Sequence, residues 1–289
     1  MAITKMPEPM QSDKAALYFG IPALIFLISI YAFLPRLGRA GVHPIINYTL
    51  TLTGPVALLF AASFAALKID GYKLNRRTIR LRFRLFRLSK REWIWTAGLT
   101  LFMVAGNLLL FPTQDWLIDN LNVSLPDYLP STLDPRVTVQ GIPPEFETTP
   151  LAWLILFQLL FLFFNIFGEE FWWRGYILPR QEIVHGQYTW VVHGVLWTLF
   201  HVFWWWTLIY ILPGALAASY VAQRFKNTTM IIIAHLLVNT VGGDSDHATE
   251  RLRQNDFKKG PDPVLFSINQ TQKEGRAVMS PILFTSGIS

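Results

Sequence analysis

The stretch Gly168-Glu169-Glu170-Phe171-Trp172-Trp173-Arg174-Gly175 sets two adjacent carboxylates and a guanidinium at the end of an almost unbroken apolar run, Leu151 to Phe167. A charged group at membrane depth costs a few kcal/mol, about 2.5–3.5, unless it is paired or faces a wet cavity, so such groups mark a functional site by default. In a helix, which turns about 100° per residue, Glu170 and Arg174 are i and i+4 on one face. The carboxylate lies N-terminal to the cation, the better order for an ion pair. Glu169 points about 100° away. If Arg174 neutralises Glu170, Glu169 is left as the carboxylate facing the cavity, a candidate general base acting on water.

Three more polar groups fall inside apolar segments: His201, His235 and Asn239. His235 and Asn239 are i and i+4 and share a helix face. One glutamate, two histidines and one asparagine from three helices can activate a water and hold a developing oxyanion. Glu169, His201 and His235 could equally ligate zinc with one position left open for water. The residue types alone leave both chemistries standing. Blander readings apply nearby. His193 reads as a helix–helix hydrogen-bond partner, and His185 as interfacial. The clusters Trp172-Trp173 and Trp204-Trp205-Trp206 read as interfacial aromatic belts and carry no chemistry.

The elements that must position these groups follow from composition. The 289 residues are 52% hydrophobic and only 15% charged, with a mean hydropathy of +0.34. A soluble domain carries about 25% charged residues. The deficit, with apolar runs near 20 residues, predicts an all-α, polytopic membrane bundle of about seven to eight transmembrane helices. There is no cysteine, which excludes thiol catalysis, disulfides and cysteine-ligated zinc. The net charge of +6 is local: Lys73 to Arg91 holds Lys73, Arg76, Arg77, Arg80, Arg82, Arg84, Arg87, Lys90 and Arg91. Beside membrane spans such a patch reads as contact with an anionic leaflet, not with nucleic acid.

In chain order the expected spans are 17–34, 45–67, 93–111, 151–167, 190–206 and 207–223. A short seventh segment, 230–241, is brief enough for a re-entrant course. Gly54-Pro55 falls inside the second span, tolerated if a neighbour satisfies the freed carbonyl. The alternating stretch Arg80–Arg87 reads as a strand in water or an interfacial segment beside a membrane. The acidic loop from Pro112 to Pro150, with seven prolines counting both ends, is expected to be irregular and water-exposed. Residues 1–149 thus form an N-terminal unit of three spans with a basic loop and an acidic loop. Residues 150–242 form a second unit, and 243–289 a polar, disordered tail. Loop charges put the basic segment on the cytoplasmic side.

Glu169-Glu170-x-x-x-Arg174, an aromatic four residues before His201, and His235-x-x-x-Asn239 occur in that order on successive helices. This resembles the CPBP intramembrane proteases, which include the type II CAAX prenyl endopeptidases and bacteriocin-processing or immunity proteins. The resemblance covers about residues 150–242. It departs from the usual pattern at Trp197, where the family has Phe, a mild swap at an aromatic that shapes or packs the site. It implies that 150–242 is a protease core. Glu169 would activate the hydrolytic water with Glu170 beside it, and Arg174 would fix the carboxylates. His201 would assist the water, and His235 and Asn239 would polarise the scissile carbonyl.

The expectation is an intramembrane endopeptidase, CAAX-protease-like, hydrolysing a peptide bond in a membrane-associated polypeptide, with no obligatory cofactor and zinc as the alternative. It would be multi-pass in a bacterial plasma membrane, with membrane lipids and a peptide or protein substrate as partners and no nucleic acid. Nothing in the sequence shows that the substrate is prenylated. The competing reading is a non-catalytic immunity or scaffold protein that binds a peptide partner. A proton-coupled transporter would call for pseudo-symmetric halves, and the two halves are unlike.

Overall fold

A computed structural model describes residues 7–121, 125–137 and 142–240. The tail 243–289 lies outside the described residues. Among those described, every regular element is helical. Four helical runs are long and apolar enough to cross a membrane, namely Ser12–Arg39, Pro44–Ile69, Lys90–Leu110 and Leu151–Phe225, and a shorter apolar helix follows, Thr228–Thr240. The chain is an all-α, integral membrane protein on these grounds.

The elements are α1 (Ser12–Arg39), α2 (Pro44–Ile69) and the short α3 (Arg76–Arg82). α4 (Lys90–Leu110) and α5 (Pro112–Asn120) follow. α6 (Leu151–Glu170) leads directly into a π-helical stretch, Phe171–Ile177, and then α7 (Leu178–His185). α8 (Thr189–Phe200) and α9 (Leu208–Phe225) are joined by a 3₁₀ segment, His201–Thr207. α10 (Thr228–Thr240) closes the described chain.

The segments expected at 151–167, 190–206 and 207–223 correspond to α6, to α8 with its 3₁₀ segment, and to α9, and two breaks interrupt this part of the chain. Gly186 has φ +54, a turn conformation that glycine adopts at no steric cost. Trp204 leaves helical geometry at φ −124, ψ 61. α8 has 12 residues, short of the roughly 20 that a bilayer core requires.

Prolines inside α1 and α2 remove a backbone donor and free the carbonyl four residues earlier. Each of three such carbonyls meets a side chain from elsewhere. Thr51 O, freed by Pro55, accepts from Ser29 Oγ at 2.7 Å. Tyr18 O, freed by Pro22, accepts a long bond from Trp172 Nε1 at 3.5 Å. Tyr31 O, freed by Pro35, accepts from Tyr128 OH at 3.4 Å. The Gly54-Pro55 break is thus tolerated in the way anticipated, by a neighbouring helix.

Two regions differ from expectation. Arg80–Arg87 is neither strand nor continuous helix: α3 ends at Arg82, and Phe83 plunges into the core with no exposed surface. Its ring stacks on Phe171 at 4.7 Å and meets Phe64 edge-on at 5.3 Å. Burial of one large aromatic side chain overrides the local alternation. The loop after α4 is not wholly irregular. Pro112 starts α5, where a first-turn proline costs no hydrogen bond. Further on, Phe146 is buried edge-on against Tyr48 at 4.9 Å. Glu145 beside it accepts from Ser131 Oγ at 2.7 Å, Thr132 Oγ1 at 2.9 Å, Thr132 N at 3.2 Å and Tyr48 OH at 3.0 Å.

α6 packs along α2, and α8 along α9, which also lies against α4; α1 crosses α8. One buried aromatic and aliphatic core runs from α1 and α2 through α6 to the 3₁₀ segment. A second joins α4, α9 and α10 around Leu99, Met103, Val221 and Ile231.

Candidate active site

Gly168 and Gly175 bracket the two carboxylates and fix where they sit. A Cβ at Gly168 would clash with Val56 O, so α6 touches α2 backbone to backbone. A Cβ at Gly175 would lie 2.8 Å from the Phe83 ring. Between them α6 ends at Glu170 and widens into the π-helical stretch, a local geometry that recurs at functional sites. α1 buttresses this segment from behind: Phe19 stacks on Trp173 at 4.3 Å and Tyr18 on Trp172 at 5.5 Å. Trp172 and Trp173 are thus core residues, not an exposed belt.

Glu169, Glu170, Arg174, His201, His235 and Asn239 are all buried, none more than 6% exposed. Glu170 Oε1 takes two partners, Arg174 Nη1 at 3.1 Å and His235 Nδ1 at 2.9 Å. Its other oxygen, Oε2, is buried with no hydrogen-bond partner. Glu169 turns toward α8, where its Oε2 accepts from Trp197 Nε1 at 3.1 Å. It lies within electrostatic reach of Glu170, Arg174 and His235. His201 caps α8 and places Nδ1 2.9 Å from Trp197 O. A carbonyl only accepts, so Nδ1 carries the proton and Nε2 of the neutral ring is the lone-pair nitrogen. Asn239 follows His235 by one turn of α10, and both its amide oxygen and its amide nitrogen are buried without a partner.

The structure therefore brings Glu169, Glu170, Arg174, His201 and His235 together through a shared hub. That hub is Trp197, the aromatic that the sequence reading took to shape or pack the site. Its indole N–H meets Glu169, its carbonyl meets His201, and its ring lies 4.3 Å from the Arg174 guanidinium carbon. It also meets His235 edge-on at 6.1 Å. The available signal was that an indole, unlike a phenyl ring, is a hydrogen-bond donor. His193 is the helix–helix hydrogen-bond partner read from the sequence: its Nδ1 contacts Gln181 Oε1 at 2.6 Å and tethers α8 to α7. One further support came only with the fold. Tyr31 OH donates to Phe203 O at 2.9 Å and anchors the 3₁₀ segment to α1.

Among the described residues no group of three or more His, Asp or Glu side chains is arranged to hold a metal ion. Glu169, His201 and His235 face different partners here: an indole, a backbone carbonyl and a second carboxylate. The placed side chains do not form a zinc ligand set.

Residues 151–241 match the family described as type II CAAX prenyl endopeptidase Rce1-like. Neither curated proteins nor solved structures give a match. That segment, which carries all six site residues, is similar to the CPBP/CAAX protease family. This likeness supports a CAAX-protease-like intramembrane endopeptidase.

Proposed function

We propose that this protein hydrolyses a peptide bond of a membrane-associated polypeptide with a water activated by Glu169. One observation carries the reading. A fully buried cluster leaves polar atoms unsatisfied where a reacting peptide needs them, Glu170 Oε2 and both amide atoms of Asn239. Buried polar atoms without partners are few in native proteins, and a catalytic role is one accepted explanation.

The Trp197 indole fixes one oxygen of Glu169 and leaves the other to take a proton from water. The His201 Nε2 lone pair accepts from the same water and orients it. Water oxygen attacks the scissile carbonyl carbon. The negative charge passes to the carbonyl oxygen, where Asn239 Nδ2 donates a hydrogen bond. A protonated His235 adds a second donor, its charge balanced by Glu170 through Nδ1. The ion pair with Arg174 keeps Glu170 available for that task. Collapse breaks the C–N bond, and the proton held by Glu169 goes to the leaving amine. Electrostatic donors of this kind are each worth about 10²–10³ in rate.

In this reading 150–242 is the catalytic unit, and residues 1–149 brace it through α1 and α2. The chain spans a bacterial plasma membrane several times, with the basic loop toward the cytoplasm. The test is cleavage of a quenched peptide library, with prenylated and unprenylated members, by the purified protein in detergent. Wild type is compared with Glu169→Gln and Asn239→Ala, with and without a chelator. Loss of cleavage in both variants, indifferent to chelator, is expected. Cleavage abolished by chelator and restored by zinc would replace the metal-free mechanism. A biological activity that survives Glu169→Gln would favour a binding protein.

A further inference from the structure

A cavity of about 420 Å³ lies at the end of the π-helical segment, and its lining includes none of the Glu169 cluster. Its lining includes Arg82, Arg84, Arg180, Lys226 and Glu182, with the apolar Leu81 and Ile183. Glu182 serves two of the cations: Arg84 grips it with both guanidinium nitrogens at 2.9 and 2.6 Å, and Lys226 Nζ stands 2.7 Å from Oε2. Asp70 pairs with Arg180 and lies within electrostatic reach of Arg82. Among the described residues four cations thus meet two carboxylates, a net positive balance.

The backbone is bent to build it. Among the described residues only two non-glycine positions have positive φ, Arg84 at 54° and Lys226 at 53°. Both line this cavity, and both bridge to Glu182. The two turns are tied together by Thr228 N donating to Arg84 O at 2.9 Å. Left-handed backbone is unfavourable for side chains such as these and persists only where the surroundings hold it. Partial burial, with the like charge of Arg180, holds the Arg82 guanidinium below its ordinary value against the opposing pull of Tyr72 and Asp70. An anion seated here would relieve that crowding.

Location selects the anion. The cavity sits beside the C-terminal end of α2 and the start of α7, where helical runs long enough to cross a membrane reach its surface. Lipid phosphates lie at that level. Basic pockets between helices at this depth suit anionic headgroups, and guanidinium groups match phosphate oxygens in pairs. Leu81 and Ile183 are exposed beside the cations, an apolar rim for the first acyl carbons. We propose that this cavity binds the phosphate of an anionic phospholipid headgroup, clamped by Arg82, Arg84, Arg180 and Lys226.

The test is thermal unfolding of the full chain in detergent, titrated with phosphatidylglycerol, phosphatidylcholine or inorganic phosphate. A ligand that binds only the folded state raises Tm in a saturable way. Phosphatidylglycerol is expected to raise it by at least ~2 °C, and phosphatidylcholine not at all. The double variant Arg82→Gln/Lys226→Gln should lose that shift. It leaves the Arg84–Glu182 bridge in place and keeps the protein assayable by its own ligand-free Tm. The charge-matched control Arg87→Gln/Lys90→Gln, from exposed positions outside the cavity, should keep it. Equal loss in both double variants would mean general surface attraction and would overturn the site. An equal shift with inorganic phosphate would overturn the lipid as occupant.

Discussion

Trp197 donates its indole N–H to Glu169 Oε2 at 3.1 Å, while Arg174 lies 4.3 Å from the face of the same ring. One side chain thereby fixes the orientation of the candidate base and touches the cation that neutralises its neighbour. A hydrogen bond to a charged group is worth about 1.5–3 kcal/mol. Trp197→Phe keeps an aromatic face for Arg174 and deletes the donor. It should lower kcat/KM by about 10- to 100-fold, mostly in kcat, with little change in Tm. Steady-state kinetics beside a thermal melt reads both; a fall confined to Tm would make Trp197 a packing residue.

Arg174 and Glu170 form a buried pair with side chains about 1% exposed. Removing one partner of a buried pair costs about 3–5 kcal/mol, and without Arg174 the Glu170 carboxylate keeps only its bond to His235. Arg174→Met should therefore lower denaturation stability sharply. Glu170→Gln/Arg174→Met should recover a large part of the loss, because the under-compensated carboxylate is gone. A double variant no more stable than the single one would show that the pair is not held as described.

Ser29 caps the carbonyl that Pro55 frees in α2. Ser29→Ala should cost about 1–2 kcal/mol, the penalty for an unsatisfied buried acceptor. In a Pro55→Ala background, where the substituted residue supplies the missing backbone donor, the same change should cost close to nothing. The coupling from a double-mutant cycle measures this, and additive costs would refute it.

Glu145 ties the loop after α5 to Tyr48 of α2. Burial alone would raise its carboxyl, but donors from Ser131 and Thr132 outweigh burial and hold it below the ordinary value of 4.5. The carboxylate is therefore favoured in the folded state. Its contribution is present above pH 4.5 and is lost as pH falls through the lowered folded value. Limited proteolysis should find residues 125–137 and 142–149 protected at neutral pH and cut increasingly as the pH falls below that value. Glu145→Gln should be cut already at neutral pH, and equal protection in both proteins would contradict the role.

Much of the site was legible because helical periodicity is a strong signal. The spacing of Glu170 and Arg174, and of His235 and Asn239, specifies a shared face wherever a helix forms. That Glu170 would gather both Arg174 and His235 was not legible, since His235 is 65 residues downstream and the packing of α10 depends on α4 and α9. Phe83 shows the same limit. Local alternation said strand or surface, whereas a pocket formed by Phe64, Phe171 and Gly175 draws it into the core. The ends of the segments expected at 151–167, 190–206 and 207–223 lie close to those of α6, α8 with its 3₁₀ segment, and α9, whereas the non-helical backbone at Trp204 was not legible, because apolar content does not mark where a helix kinks.

The central claim is that Glu169 activates the hydrolytic water. Glu169→Gln is the most direct test, because the amide oxygen can still accept from Trp197 while the basic carboxylate is gone. The measurement is single-turnover cleavage of a peptide that the wild type hydrolyses, on variant protein whose Tm matches wild type. A rate lower by at least about 100-fold is expected from loss of a general base. A rate within a few-fold of wild type would contradict the account and move the base elsewhere in the cluster.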